Sequence, residues 1–146
     1  PDVPVVGFAG DGAFGIAVTE LTAIGRAEWP AITMVVFRNY QWGAEKRNST
    51  LWYADNFVGT ELDTSVSYAG IAKACGLQGV VARTMDELRD ALAKAVVDQM
   101  KHGKTTLIEA MINQELGEPF RRDAMKKPVE VAGISAADMR PQATAG

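Results

Sequence analysis

The sequence predicts an α/β fold: a doubly wound, mostly parallel sheet with helices on both faces. Four short apolar runs rich in β-branched residues alternate with stretches whose apolar residues recur at helical spacing. A glycine-rich turn follows the first run, and a capping signature precedes the last predicted helix. Strands that alternate with helices form parallel sheets, which bind ligands at the carboxyl ends of their strands.

The first half of the chain contains two predicted strands and one helix. The strands are predicted at residues 3–8 and 31–37. Between them, apolar side chains at helical spacing predict a single helix that Pro30 ends: Phe14, Val18, Leu21 and Ile24. Residues 38–48 are polar, aromatic and basic, which predicts a loop, and residues 48–62 lack a clean period, so we expect an irregular segment there.

The second half continues the alternation. Residues 64–76 indicate a helix that ends at Gly76 in a left-handed cap. Strands are predicted at residues 79–82 and 105–112. Thr84 and Glu87 form a capping box that opens the intervening helix, whose predicted buried stripe is Leu88, Leu92, Val96 and Met100. We expect one α/β domain over residues 1–113 and an extended tail over residues 114–146, where the period is lost.

Composition and charge exclude several classes of protein. The 146 residues are 47% apolar, enough for one core, and their net charge of -3 gives no electrostatic basis for binding nucleic acid. No apolar run approaches the roughly 18 residues that span a bilayer, and no secretory signal is apparent, so we expect a cytoplasmic protein that binds no membrane. The single cysteine, Cys75, is expected to pack as a small apolar side chain.

The start of the chain suggests a longer polypeptide. The sequence begins at Pro1 without an initiating methionine and enters a core strand within three residues. We therefore expect that the N-terminal elements of the sheet are absent from this sequence. A preceding segment or another chain would then cover the open flank of the first strand.

The glycine-rich turn holds an unexpected carboxylate. Gly10, Gly12 and Gly15 form the G-x-G-x-x-G pattern typical of dinucleotide binding, but Asp11 stands between the first two. Asp11 could simply cap a helix, which would stabilise it by about 1 kcal/mol. A carboxylate 4 Å from a phosphate charge is repelled by about 4 kcal/mol at an effective dielectric of 20, unless a cation lies between them.

A dinucleotide is one alternative for this turn. A Rossmann fingerprint expects an acidic residue about 20 positions later, at the end of the next strand, to bind the ribose. Here the second predicted strand is followed by Arg38 and Asn39. Because an arginine at this place would suit a 2′-phosphate, an NADP-binding Rossmann domain remains an alternative.

A divalent cation would resolve the conflict at Asp11. Magnesium takes oxygen ligands in octahedral geometry and is usually held by one or two protein groups together with substrate phosphates. The second protein ligand should come from a neighbouring strand end, and Asn39 lies there, 28 positions after Asp11. We therefore predict that Asp11 and Asn39 hold a magnesium ion that binds a diphosphate.

The sequence G-D-G, followed by 26 residues and then Asn, resembles the signature of thiamine-diphosphate-dependent enzymes, including those similar to acetolactate synthase. This resemblance implies thiamine diphosphate and Mg²⁺ as cofactors. It also implies that Asp11, the Asn39 side chain and the Gln41 backbone carbonyl are the metal ligands. The implied cofactor-binding residues are Gly10, Asp11, Gly12, Ala13, Asn39, Gln41 and Gly43. The family often has Asn-Asn where this chain has Arg38-Asn39, and the ligand corresponds to the second residue of the pair.

Three later blocks contribute to the resemblance within the family: NYQWGAEKRN, HGKTTLIE and ELGEPFRRDAMKKPV, of which the first and the last narrow it. They resemble members that convert sulfoacetaldehyde and inorganic phosphate to acetyl phosphate and sulfite. A pocket for such oxyanions should offer fixed cations, above all the forked guanidinium of arginine. The candidates are Lys46, Arg47, Arg121 and Arg122, and we favour the first two because they follow the predicted metal loop.

The same resemblance also implies alternative functions and a catalytic residue outside this chain. A carboligase or decarboxylase similar to acetolactate synthase is an alternative, as is a truncated non-enzymatic relative that pairs with a full-length enzyme. The family uses a glutamate from a partner subunit to activate the cofactor, and no glutamate here matches its motif. The catalytic residue is therefore unknown, and we expect this chain to be inactive alone and part of a homodimer or homotetramer.

Overall fold

The structure, a computed structural model, describes residues 2–54 and 56–114, apart from the side chains of residues 50–52. In this part of the chain four parallel strands form one sheet in the order β1-β2-β4-β3. The strands are Val6–Gly10 (β1), Thr33–Arg38 (β2), Gln78–Ala82 (β3) and Thr106–Met111 (β4). The helices are Asp11–Ile16 (α1), Leu21–Ile24 (α2), Gly43–Trp52 (α3), Tyr68–Ala74 (α4) and Met85–His102 (α5), with a 3-10 turn at Val18–Glu20. The predicted tail lies outside the described residues from residue 115 onward.

Both faces of the sheet are covered, which confirms the predicted fold class. Successive strand residues point to opposite faces, so the neighbours Val35 and Val36 enter two different cores. The core on the Val36 face packs against α1, α2 and α4 and contains Phe14, Leu21, Val36, Tyr68, Ala69, Ala72 and Leu107. The core on the Val35 face packs against α5 and contains Val35, Ala82, Ala95, Ile108 and Ala110.

The prediction of one continuous helix between the first two strands is wrong. The chain instead forms α1, a 3-10 turn and α2 in succession. Gly12 and Gly15 weaken the helix, and the Thr22 hydroxyl donates to the Thr19 carbonyl at 2.8 Å, a local hydrogen bond that competes with helical ones. Phe14 and Leu21 are nevertheless buried as predicted, because the short pieces keep the apolar side toward the sheet.

The loop and irregular segment predicted over residues 38–62 are wrong in part, because residues 43–52 form α3. No side chain caps the N-terminus of α3, and its sequence has no apolar stripe, so neither of the usual signals for a helix is present. Good helix formers, Ala44, Glu45, Lys46 and Arg47, fill its first half.

The exposure of β1 agrees with expectation, whereas burial within α5 differs from it. Strand β1 lies at an edge of the described sheet, where Phe8 is 65% exposed and stacks on Phe37, so the first strand has the uncovered flank that was expected. In α5, Met100 is exposed, whereas Gln99 is buried and bonds the Thr33 hydroxyl and the Ala31 carbonyl. A polar side chain that finds two partners can therefore occupy a face that periodicity assigns to an apolar one.

The predicted end of α4 and the predicted start of α5 are confirmed, whereas α4 begins at Tyr68, four residues later than predicted. The Thr84 hydroxyl accepts the Glu87 N–H at 3.1 Å, while the Glu87 carboxylate accepts the N–H of Arg83, one residue before the cap. Gly76 follows α4 with a φ of +82°, and Cys75 beside it is half-buried against the first core. None of the helices in the described residues has the length and apolar character needed to cross a membrane.

We expect Gly79→Ala to destabilise the fold strongly. A Cβ at Gly79 would lie 2.0 Å from the backbone oxygen of Ala69, so β3 and α4 would have to separate. The free energy of unfolding in urea should fall by about 1–3 kcal/mol or more. Gly7→Ala is the matched control, because a Cβ there meets nothing within 4 Å. Equal stability of the two variants would contradict this packing.

Candidate diphosphate and metal site

The Asp11 carboxylate joins the carboxyl ends of the first two strands. Asp11 directly follows β1 and is only 2% exposed. Its Oδ2 accepts the backbone N–H groups of Asn39 at 3.1 Å and Tyr40 at 2.7 Å, in the loop after β2. Its Oδ1 accepts the N–H of Gly12 at 3.0 Å. A buried carboxylate needs such donors, and here they fix the position of the loop.

Tyr40 adopts a strained backbone conformation directly after its contact with Asp11. Its φ is +61°, in the left-handed region that costs a non-glycine residue roughly 1–2 kcal/mol. The left-handed φ acts just after the Tyr40 N–H, which donates to Asp11 Oδ2, and turns the chain toward the bridge between Gln41 and Glu61. Strain of this kind persists where surrounding contacts over-determine the conformation, as they do here.

Gln41 is held in an isolated antiparallel bridge with Glu61. Two flanking backbone hydrogen bonds of 2.8 Å form this bridge: Trp42 N–H to the Thr60 carbonyl and Leu62 N–H to the Tyr40 carbonyl. In this pairing the N–H and C=O of Gln41 itself face away from Glu61. The N–H donates to Asn39 Oδ1 at 3.2 Å, so the Gln41 backbone and the Asn39 amide oxygen share one side of the loop.

All seven residues predicted to bind the cofactor line one cavity of about 330 Å³. They are Gly10, Asp11, Gly12, Ala13, Asn39, Gln41 and Gly43. Phe37, Trp42 and Ile112 add apolar walls. Gly12 is required for close packing, since a Cβ there would lie 3.0 Å from the Trp42 indole. The structure thus brings the predicted residues together at the edge of the sheet where a parallel fold binds ligands.

Arg38 is a buried residue of this region that the prediction assigned no role toward the metal. It is 1% exposed, and its guanidinium lies 4.3 Å from the ring of Tyr40 and 4.8 Å from that of Tyr68. Nη1 is 3.4 Å from Asp11 Oδ2, and Nη2 donates to the carbonyls of Asp63 at 2.7 Å and Val66 at 2.9 Å. Arg38 is therefore committed inside the protein and is not available to a 2′-phosphate, as the NADP alternative required.

Glu109 is the second buried charge of the same network. It lies on β4, is 2% exposed, and places Oε1 3.4 Å from Arg38 Nε. Its Oε2 accepts the Ser67 hydroxyl at 2.8 Å and the Ala69 N–H at 3.1 Å, at the start of α4. A charged residue within each of the apolar strands TMVVFR and TLIEAM is the sequence signal that could have identified this pair.

Tyr68 connects the start of α4 to Asp11. Its hydroxyl donates to the Asp11 carbonyl at 3.0 Å, and its ring meets Phe14 edge-on. Burial raises the pKa of Tyr68; the Arg38 charge opposes this rise, and the nearby carboxylates of Asp11 and Glu109 add to it. The hydroxyl therefore keeps its proton at neutral pH and remains a donor.

The predicted cationic residues fall into different situations. Lys46 forms an ion pair with Glu61 and lies 5.4 Å from the centroid of the Phe57 ring. Arg47 is half-buried, and within the described residues its buried Nη2 has no hydrogen-bond partner. Arg121 and Arg122 lie outside the described residues.

Comparison with known families gives a match over most of the chain. Residues 1–110 match the family described as thiamine pyrophosphate enzyme, C-terminal TPP binding domain. The match includes every residue that lines the cavity except Ile112.

Curated relatives are highly similar over nearly the whole chain. Sulfoacetaldehyde acetyltransferases of Rhodobacter capsulatus and Roseovarius nubinhibens are each 84% identical over 142 residues, 97% of this chain. The enzyme of the same name from Alcaligenes xylosoxydans xylosoxydans is 48% identical over 90% of the chain. The match covers 24%, 23% and 21% of these relatives, so the chain spans about a quarter of their length.

Solved structures of related fold were also found. Benzoylformate decarboxylase from Polynucleobacter necessarius is 26% identical with a TM-score of 0.68, over 81% of this chain and 21% of that one. A thiamine diphosphate-dependent 4-hydroxybenzoylformate decarboxylase of Rhodococcus jostii RHA1 is 20% identical with a TM-score of 0.63, over 80% and 21%. The second likeness concerns the fold alone.

We expect Tyr68→Phe to lower the stability of the protein by about 1 kcal/mol. The substitution removes one hydroxyl and leaves the Asp11 carbonyl without this donor. Urea denaturation monitored by circular dichroism measures the change. Tyr53→Phe is the control, because Tyr53 is half exposed and its loss of a hydroxyl should change stability little. Indistinguishable midpoints for the two variants would contradict the role given to Tyr68.

Proposed function

Because the chain belongs to the thiamine pyrophosphate enzymes, through their C-terminal TPP-binding domain, we propose that it is the cofactor-binding part of a sulfoacetaldehyde acetyltransferase. The reaction would convert sulfoacetaldehyde and phosphate to acetyl phosphate and sulfite. The cofactors are thiamine diphosphate and Mg²⁺. The high identity to relatives bearing this enzyme name supports the choice of substrate.

The observation that carries the proposal is the convergence of Asp11, Asn39 and Gln41 on one cavity. They offer a carboxylate, an amide oxygen and a backbone carbonyl, the hard oxygen donors that Mg²⁺ prefers. The described residues contain no group of three His, Cys, Asp or Glu side chains that could hold a metal, so a site there needs such mixed donors. The donor set fits a magnesium ion whose remaining ligands include phosphate oxygens.

The residues of this chain would bind and orient the cofactor. When bound, thiamine diphosphate supplies the carbon nucleophile that attacks the aldehyde. Asp11 is already held by backbone donors, so little rearrangement would accompany metal binding. Gly12 and Ala13 lie in the first turn of α1, where backbone N–H groups favour anions. Trp42 and Phe37 supply apolar walls that limit access of water.

Arg47 is the residue we propose for the phosphate or sulfonate group. Within the described residues its Nη2 is buried without a hydrogen-bond partner, which is costly unless a ligand satisfies it. Lys46 is instead paired with Glu61. Arg121 and Arg122 remain further candidates for the same group.

The rest of the enzyme would supply what this chain lacks. We propose that the glutamate that activates the cofactor comes from another domain, in a homodimer or homotetramer located in the cytoplasm. Glu109 is not a candidate, because it is buried against Arg38 and the start of α4.

Binding of thiamine diphosphate by the intact protein should depend on Mg²⁺ and on Asp11. Calorimetric titration should show tight binding with Mg²⁺ and weak binding in EDTA, and Asp11→Ala should abolish the difference because the metal loses its anionic ligand. The control Asp90→Ala removes an exposed carboxylate on α5 and should bind like the parent. Binding that ignores the metal would overturn the proposal, and tight NADPH binding in EDTA would favour a dinucleotide instead.

The intact enzyme should release sulfite from sulfoacetaldehyde when phosphate is present. We expect Arg47→Met to raise the KM for phosphate about tenfold or more, because hydrogen bonds to charged groups contribute about 1.5–3 kcal/mol. Lys73→Met is the control, since Lys73 is exposed on α4. Parent enzyme that releases no sulfite but joins or decarboxylates 2-oxo acids would indicate an acetolactate synthase-like activity. An unchanged KM in Arg47→Met would exclude the proposed phosphate contact.

A further inference from the structure

The position of Arg38 conflicts with a metal site at Asp11. A guanidinium nitrogen lies 3.4 Å from Asp11 Oδ2, so its positive charge offsets the carboxylate that should attract Mg²⁺. Arg38 cannot easily swing away, because Nη2 is bonded to two backbone carbonyls and its plane lies between two tyrosine rings. A permanent cation beside the anionic ligand should weaken the binding of a divalent cation.

Glu109 removes this conflict. Its carboxylate lies 3.4 Å from Arg38 Nε, whereas Asp11 lies beside Nη1. The three buried side chains Asp11, Arg38 and Glu109 carry formal charges of -1, +1 and -1, which sum to -1. With Glu109 in place, the cluster remains anionic. Without it, Asp11 and Arg38 would form a neutral pair.

Glu109 is itself fixed in place by α4. The Ser67 hydroxyl and the Ala69 N–H both donate to Oε2, while Oε1 faces Arg38. Ser67 also accepts the Gly70 N–H as the cap of this helix. These donors orient the carboxylate without a contact to the cavity, whose lining does not include Glu109.

We propose that Glu109 is a positioning residue for the metal: it counterbalances Arg38 and thereby preserves the negative charge of Asp11 for Mg²⁺. This inference rests on the proposed function. Mutation of residues that contact the ligands of a metal commonly weakens metal binding by about tenfold to a hundredfold.

The test is a charge cycle measured by Mg²⁺ titration of the intact protein at saturating thiamine diphosphate, followed by Trp fluorescence. Glu109→Gln should weaken Mg²⁺ binding about tenfold or more, because it makes the cluster neutral. Arg38→Met should bind Mg²⁺ at least as tightly as the parent, and the double variant, with its cluster charge back at -1, should return to parental affinity. Glu20→Gln is the control, since it removes one exposed carboxylate from the 3-10 turn that follows α1.

The pattern of signs separates charge balance from a purely structural role. The melting temperature of each cofactor-free variant reports the structural cost of its substitution. The melting temperatures should fall in the variants that remove contacts of the network, and their order should differ from the order of the Mg²⁺ affinities. If Glu109→Gln does not fold, Arg38→Met and the double variant still decide: a loss of Mg²⁺ affinity in both would overturn the proposal. Equal Mg²⁺ affinity in the parent and a folded Glu109→Gln would also overturn it.

Failure of the inference and failure of the proposed function give different results. If thiamine diphosphate binds the parent independently of Mg²⁺, the proposed function fails. If the parent requires Mg²⁺ and the charge cycle shows no opposite effects, the role of Glu109 alone is rejected.

Discussion

The buried carboxylate of Asp11 organises the carboxyl edge of the sheet. A carboxylate with 2% exposure is tolerated only when donors surround it, and the chain supplies them from the loop after β2. Immediately after these two donors, Tyr40 takes a left-handed conformation that turns the chain toward the bridge between Gln41 and Glu61. The same loop places Asn39 and Gln41 beside the cavity. The hydrogen bonds that Asp11 accepts from this loop therefore also position the predicted ligands.

A second layer of charge lies behind this carboxylate. Arg38 links Asp11 to Glu109 and to the backbone before α4, and Tyr68 returns from α4 to the Asp11 carbonyl. Strands β2 and β4 and helices α1 and α4 therefore meet in one buried polar network beside an apolar core. The start of α4 and the candidate metal site share the contacts of this network.

Local chemistry predicted much of the fold. β-branched runs, the capping box at Thr84 and the glycine after α4 act over a few residues, and each was found close to its predicted place. Helix α3 was missed because no apolar stripe or side-chain cap marks it. The apolar run of β1 does not itself show whether the strand is central or at an edge, and in the described residues β1 lies at an edge. Position within a sheet depends on strand order, which periodicity does not encode.

The donor set of the candidate site was predicted from local chemistry in the sequence. A carboxylate between glycines repels phosphates unless a cation intervenes, and Asn39 is the oxygen donor that follows the neighbouring predicted strand. Tertiary structure alone decided that Arg38 and Glu109 share this region. Their positions are separated by 71 residues in the chain, and they meet because β2 and β4 pair in parallel with Val36 opposite Glu109. Local patterns record what a residue can do, whereas the balance of buried charges depends on which distant strands the fold brings side by side.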